Sequence, residues 1–289
     1  MLENGSKHPA LEGSQRMVAF IDLLGFSNAV EQESNFEKLY ELLSFFVNQT
    51  RNSIENHIGI TQEGNKTYTI HPSITAFSDS LVVSYPLGSI LPPMGILLKL
   101  CNNIAAVALK ALAYGFLIRG GIAQGRMCHE NGVTMGRPFN EAVDLEKNAE
   151  LLSSKNKGMP RIRVSKTFSE LYQLDKPPRV SKGGRSIEVL ECMCLLVEKQ
   201  EDQTIYSVNY IRDMLCLGVP HGDSWWEGIK LRVNEIREII SNNKHTIKLN
   251  SMLEPEKREE ILSKWSWFEN QFEREANFLL RYAPAEQDG

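Results

Sequence analysis

The period of apolar and polar positions changes several times along the chain, and each change marks an element. Residues 17–24, MVAFIDLL, form an apolar run with one acidic side chain, Asp22, just ahead of Gly25. Such a run predicts a buried strand that ends in a turn. From Phe36 the apolar positions Phe36, Leu39, Tyr40, Leu43, Phe46 and Val47 recur at helical spacing, so a helix follows. TYTIHPSITAF (67–77) and SLVVSYPL (80–87) are β-rich runs broken at Ser78-Asp79, which predicts a hairpin with Asp79 at its tip. A long apolar segment then predicts a buried helix over about 92–114. GFLIRGGIAQGRM (115–127) reads as a strand, ENGVTMG (130–136) as a turn and strand, and a helix opens at about Asn140. Short strands are expected around 161–164 and 185–197, with a helix near 167–174 between them. Beyond Val219 two long helical stripes follow: Trp226, Ile229, Val233, Ile236 and Ile240, then Ile261, Trp265, Phe268, Phe272 and Leu279, the second opening near Pro255.

This order predicts an α/β sandwich, a sheet with helices packed on one face and a C-terminal helical extension. The expected organisation is a flexible tail over 1–15, a main domain over 16–218 and the helical extension over 219–289. The tail has no apolar stretch of the kind a secretory signal carries. A formal net charge of -4 gives no nucleic-acid surface. The longest apolar stretch, 90–118, is interrupted by Lys99, Asn102, Asn103 and Lys110, which favours a buried helix over a membrane span. Five cysteines, Cys101, Cys128, Cys192, Cys194 and Cys216, show no repeated CxxC pair and no histidine at ligand spacing. Neither a disulfide framework nor a zinc site is expected, and reduced thiols fit a cytoplasmic protein, with Cys192 and Cys194 packing in a strand.

Two carboxylates carry the candidate chemistry. Asp22 ends one strand and Asp79 sits at a hairpin tip; neighbouring strands lie about 4.8 Å apart, so both can face one divalent ion. A few oxygen ligands completed by substrate phosphates suit Mg²⁺ or Mn²⁺. The competing reading is a turn residue and a cap. The turn through Leu23, Leu24 and Gly25 offers backbone N–H groups to a phosphate. Arg119, on a third strand, brings a permanent cation with a fork suited to phosphate oxygens. Together these outline a triphosphate site.

The segments FIDLLGF, FSDSLVVS, RGGIAQG and MGRPFNEAVDLE, in this order over about residues 17–150, resemble the class III nucleotidyl cyclases. The resemblance implies a ferredoxin-type sheet and a homodimer with shared active sites. In it Asp22 and Asp79 hold two metal ions, Mn²⁺ or Mg²⁺. Leu23, Leu24, Gly25, Phe26 and Arg119 contact substrate, Asn140 orients the ribose, and Lys182 holds the terminal phosphates. The family's adenine-reading positions hold Thr75 and Val133 here, neither of which supplies the adenine-reading pair. The compact spacing is similar to that of the bacterial pyrimidine cyclases of Pycsar anti-phage systems. That branch implies UTP, or alternatively CTP, as substrate, with Thr75 and then His71 as base contacts and a separate effector protein reading the cyclic product. The family's transition-state arginine corresponds to Asp144, leaving Arg137 or Lys147 as replacements. A nucleotide-binding regulatory module without chemistry is the other class of function the sequence allows.

Overall fold

The computed structural model describes residues 13–30, 36–55, 59–60, 67–68, 72–88, 92–147, 158–172, 195–200, 203–219 and 225–281. In chain order these form β1 (Ser14–Leu24), α1 (Phe26–Val30), α2 (Phe36–Glu55), β2 (Gly59–Ile60), β3 (Thr67–Tyr68), β4 (Ser73–Phe77), β5 (Ser80–Pro86), α3 (Pro93–Ala113) and β6 (Leu117–Glu130). There follow β7 (Val133–Gly136), α4 (Arg137–Lys147), β8 (Ile162–Val164), α5 (Lys166–Leu171), β9 (Leu195–Gln200), β10 (Gln203–Val208), α6 (Tyr210–Cys216), α7 (Trp225–Leu249) and α8 (Pro255–Leu280).

The main sheet runs β4-β5-β1-β6-β8-β10-β9, with β7 paired to β6, while β2 and β3 form a separate ribbon. The strands β4, β5, β1 and β6 are mutually antiparallel, and β6 meets β8 in parallel. With helices between β1 and β4 and between β5 and β6, this is the ferredoxin-type β-α-β-β-α-β arrangement, and the expected α/β sandwich is what forms.

Period-two alternation along β1 sorts the layers. Met17, Ala19, Ile21 and Leu23 join the large core that α2, α3, α6, α7 and α8 cover, whereas Val18 and Phe20 join Val82, Ala123, Met127 and Ala142 beneath α4. The expectation of helices on one face therefore needs a correction: α4 covers the opposite face. A strand covered on both faces reads as an unbroken apolar run, which is what residues 17–21 are. Gly121 permits the close approach of α4, because a Cβ there would lie 2.3 Å from the carbonyl oxygen of Ala142.

Other boundaries shift for local reasons. The expected single run 67–77 divides, with β3 in the ribbon and β4 beginning after Pro72, which has no N–H to give a ladder. Strand β6 extends through Cys128 and His129 to a turn at Asn131 and Gly132, whose φ values of 52° and 79° match a two-residue hairpin turn. Helix α4 begins at Arg137, ahead of Asn140, with Pro138 tolerated in its first turn. Helix α5 starts where the Ser165 hydroxyl accepts the Phe168 N–H at 3.1 Å. Strand β10 and helix α6 are elements the sequence pattern did not announce.

Both C-terminal helices bury the predicted stripes, although Trp225 rather than Trp226 is the buried indole at the head of α7. Their apolar faces belong to the same core as α3, and α3 itself, long and apolar enough to cross a bilayer, has 67% of its most apolar window buried by protein. Of the cysteines, Cys101 is buried and Cys128 and Cys216 are half-buried. Residues 1–12 of the tail expected over 1–15, most of the 185–197 strand, and Cys192 and Cys194 lie outside the described residues, whereas Ser14 and Gln15 of that expected tail are part of β1, paired with β6.

Candidate active site

The end of β1 is where the candidate residues meet. Asp22 pairs in register with Ser80 on β5 and with Arg119 on β6. Asp79 sits in the two-residue turn just before Ser80, and its carbonyl accepts the Leu23 N–H at 3.0 Å. The Ser80 hydroxyl lies 3.5 Å from Oδ1 of both Asp22 and Asp79, so one hydroxyl stands within reach of both carboxylates. Leu23 must accordingly be removed from the phosphate cradle, since its N–H is already spent on Asp79. Gly25 keeps the role of turning the chain, with a φ of 91° that other residues rarely adopt.

Arg119 is held more firmly than its sequence context suggests. Its Nε lies 2.8 Å from Oδ2 of Asp22 and 2.7 Å from Oε1 of Glu146, a buried residue of α4. Glu146 is a site residue that the sequence reading missed. Its signal was positional: Pro138, Ala142 and Glu146 repeat every four residues and form the buried stripe of α4. Burial pushes the Asp22 carboxyl above its ordinary value; Arg119 opposes that shift and Asp79 adds to it. Glu146 is raised by burial in the same way, with Arg119 again opposing. Hard oxygen donors on two adjacent strand ends, one of them penalised by burial when charged, fit a small divalent cation such as Mg²⁺ or Mn²⁺.

Asp22 and Arg119 form a wall shared by two clefts. One, of about 480 Å³, is lined by Asp22, Asp79, Gly25, Phe26 and Arg119, and by Lys257, Glu260 and Lys264 of α8. The other, of about 640 Å³, opens on the α4 side and is lined by Asp22, Arg119, Phe20, Phe77, Phe139, Asn140, Asp144 and Lys147. The structure thus brings Asn140 to the same cleft as Asp22 within one chain. Of the two basic residues offered in place of the missing arginine, Lys147 lines this cleft, whereas Arg137 lines an adjoining groove with Asp144 and Arg163. Val133 is half-exposed on β7 and borders neither cleft. His71 and Lys182 lie outside the described residues.

Thr75 has another partner. Its hydroxyl is 2.9 Å from Nε2 of His129, and it borders neither cleft that Asp22 lines. His129 comes from the far end of β6, and its Nδ1 lies 2.8 Å from the Ser84 hydroxyl, which also accepts Nε of Arg16 at 2.8 Å. The hydroxyl expected to meet the base is instead engaged by His129, a partner that the sequence did not reveal.

This network sets a pH dependence. Burial, helped by the Arg16 charge, holds the His129 imidazole down at about 4, against 6.5 ordinarily. As pH falls from 6.5 towards 4 the unfolded chain takes up this proton and the folded chain does not, so stability is full above the window and is lost through it, by about 3 kcal/mol. Thermal melts across this range should therefore fall more steeply for the wild type than for His129→Gln. Equal slopes would remove His129 as the cause.

No family model matches the chain, and no curated protein matches it. Among solved structures it is similar to the adenylyl cyclase CyaB from P. aeruginosa, at 16% identity and a TM-score of 0.41, over 68% of this chain and 93% of that one.

Proposed function

We propose that the chain is a metal-dependent nucleotidyl cyclase. It would convert a pyrimidine nucleoside triphosphate, UTP before CTP, to its 3′,5′-cyclic monophosphate and pyrophosphate. The observation that carries this reading is that Asp22, Asp79 and Arg119 line one cleft at a sheet end, and that Asp22 and Arg119 also line the adjoining cleft that holds Asn140. The pyrimidine preference and the role as a second-messenger synthase in bacterial anti-phage defence rest on the resemblance to the Pycsar cyclases. So does the separate effector that reads the product.

In the reaction the ribose 3′-oxygen loses its proton and bonds to the α-phosphorus, and the bond from that phosphorus to the bridging oxygen of the β-phosphate breaks, releasing pyrophosphate. Asp22 and Asp79 would hold two divalent cations, which when bound would neutralise phosphate charge and lower the pKa of the 3′-hydroxyl. Arg119, fixed at Nε by Asp22 and Glu146, presents a guanidinium that cannot swing away, and this preorganisation is what makes charge stabilisation effective. Asn140 positions the ribose in the α4-side cleft, where Phe77 and Phe139 offer the base apolar surface. Lys147 stands on the same cleft for the charge that Asp144 cannot supply.

Purified protein with Mn²⁺ and each of the four nucleoside triphosphates tests the reading. Cyclic UMP is the expected product, with cyclic CMP the alternative. No cyclic product from any of the four, at high protein concentration, overturns the reading in favour of a regulatory nucleotide-binding module, which Asp144 on the cleft favours. Specific activity that rises with protein concentration marks the homodimeric, shared site. Concentration-independent activity assigns the whole site to one chain, where Asp22 and Asn140 already share a cleft.

A further inference from the structure

We infer that α8 supplies the phosphate-binding wall of the site: Lys257 and Lys264, held by Glu260 until a polyphosphate replaces it, bind the terminal phosphates in the cleft that Asp22 and Asp79 also line. The inference rests on the nucleotide reading above and adds ligands from a helix outside the segments that carry the resemblance.

The spacing of these three residues puts them on one helix face, and that face lines the cleft. Lys257 Nζ lies 2.9 Å from Oε2 of Glu260, and Lys264 Nζ lies 2.6 Å from its Oε1. The two ammonium groups hold the Glu260 carboxyl down at about 2, so it stays charged and shares one negative charge between two cations. A net positive charge is left on this wall. Lys264 Nζ and Arg119 Nη1, both of residues lining the cleft, lie 3.5 and 3.4 Å from where a Cβ on Gly158 would stand, so cations from α8 and from β6 come close to one another there. The same cleft is lined by Asp22 and Asp79, whose carboxylates repel an anion until a cation covers them.

A cleft lined by both acids and lysines suits a chain of phosphates, whose inner groups share the metal and whose outer groups need fixed positive charge. Lysine ammonium groups serve as point charges for such phosphates and pivot freely on their stems. Glu260 holds both lysines in the resting state, and the need to displace it makes the wall selective for anions that carry more charge than a single phosphate.

Calorimetric titration of the full chain with inorganic triphosphate, at low salt and with Mg²⁺ present, tests this directly. Wild type should bind triphosphate and bind orthophosphate far more weakly. Lys257→Gln and Lys264→Gln should each weaken triphosphate binding about tenfold. Glu260→Gln should tighten it about threefold, because the competing carboxylate is gone. Absence of triphosphate binding by the wild type, or affinities within twofold of wild type in both lysine variants, overturns the inference. So does a Glu260→Gln variant that binds as weakly as the lysine variants, since the three would then be a structural ion triad. Lys257, whose side chain is 48% exposed, provides the variant that keeps the fold should Lys264→Gln lower the melting temperature. Cyclic product together with lysine-independent triphosphate binding sinks this inference and spares the cyclase reading; lysine-dependent binding with no cyclic product does the reverse.

Discussion

Turnover should fall on the order of a thousandfold or more in Asp22→Ala and in Asp79→Ala, because each change removes one of two oxygen ligands and about 4 kcal/mol of barrier lowering goes with it. The two variants should differ in stability. Asp79 sits in a turn, and its main-chain carbonyl, which the substitution keeps, is what accepts Leu23 N–H. Asp79→Ala should therefore melt within about 0.5 kcal/mol of the wild type. Asp22 is buried and its Oδ2 receives Arg119 Nε, so its loss leaves that guanidinium to Glu146 alone and costs about 1–3 kcal/mol. Asp22→Asn keeps the shape and separates the two effects. Cyclic product formation and a melting curve on each variant check the argument. Near-wild-type turnover in any folded variant would refute the two-carboxylate metal assignment.

What was legible in the sequence follows from the range of the signal. Asp22 and Asp79 stood out because each interrupts a local pattern, an acid in an apolar run and an acid in a two-residue break. Arg119 is read from the strand that holds it. Glu146 could be seen only by knowing that α4 packs on a sheet, and on which face, since its four-residue repeat with Pro138 and Ala142 looks polar until a wall is placed against it. The partner of Thr75 was missed for a related reason. The Thr75 face of β4 was predictable, but His129 reaches it only because β6 runs several residues past its expected end and turns at Asn131-Gly132. The α8 residues were the least legible. A Lys-Glu-Lys face at helical spacing reads as a solvated, salt-bridged surface, and nothing local distinguishes one that closes a cleft made well over a hundred residues earlier in the chain.

Helix α8 can take part in the site only if it is anchored, and the second large effect concerns that anchor. Arg212 on α6 and Glu275 on α8 are buried, with Arg212 Nη2 at 2.5 Å and Nε at 2.8 Å from Oε2 of Glu275, and the guanidinium lies 4.3 Å over the Phe278 ring. A buried pair of this kind need not exceed a well-packed apolar substitute, but removing the carboxylate takes away the group that receives two of the guanidinium N–H groups in the core, at about 3–5 kcal/mol. Glu275→Ala should therefore lower the melting temperature by roughly 10 °C. The half-exposed bridge between Arg237 on α7 and Glu273 on α8 supplies the contrast, since an ion pair screened by solvent contributes about 0–1 kcal/mol and Glu273→Ala should scarcely move the transition. The double variant Arg212→Met with Glu275→Leu should recover most of the loss, because it removes both charges together. If Glu275→Ala melts within 2 °C of wild type, α8 is not anchored through this pair. If the double variant is no better than the single one, the cost lies in packing and not in the guanidinium's lost contacts.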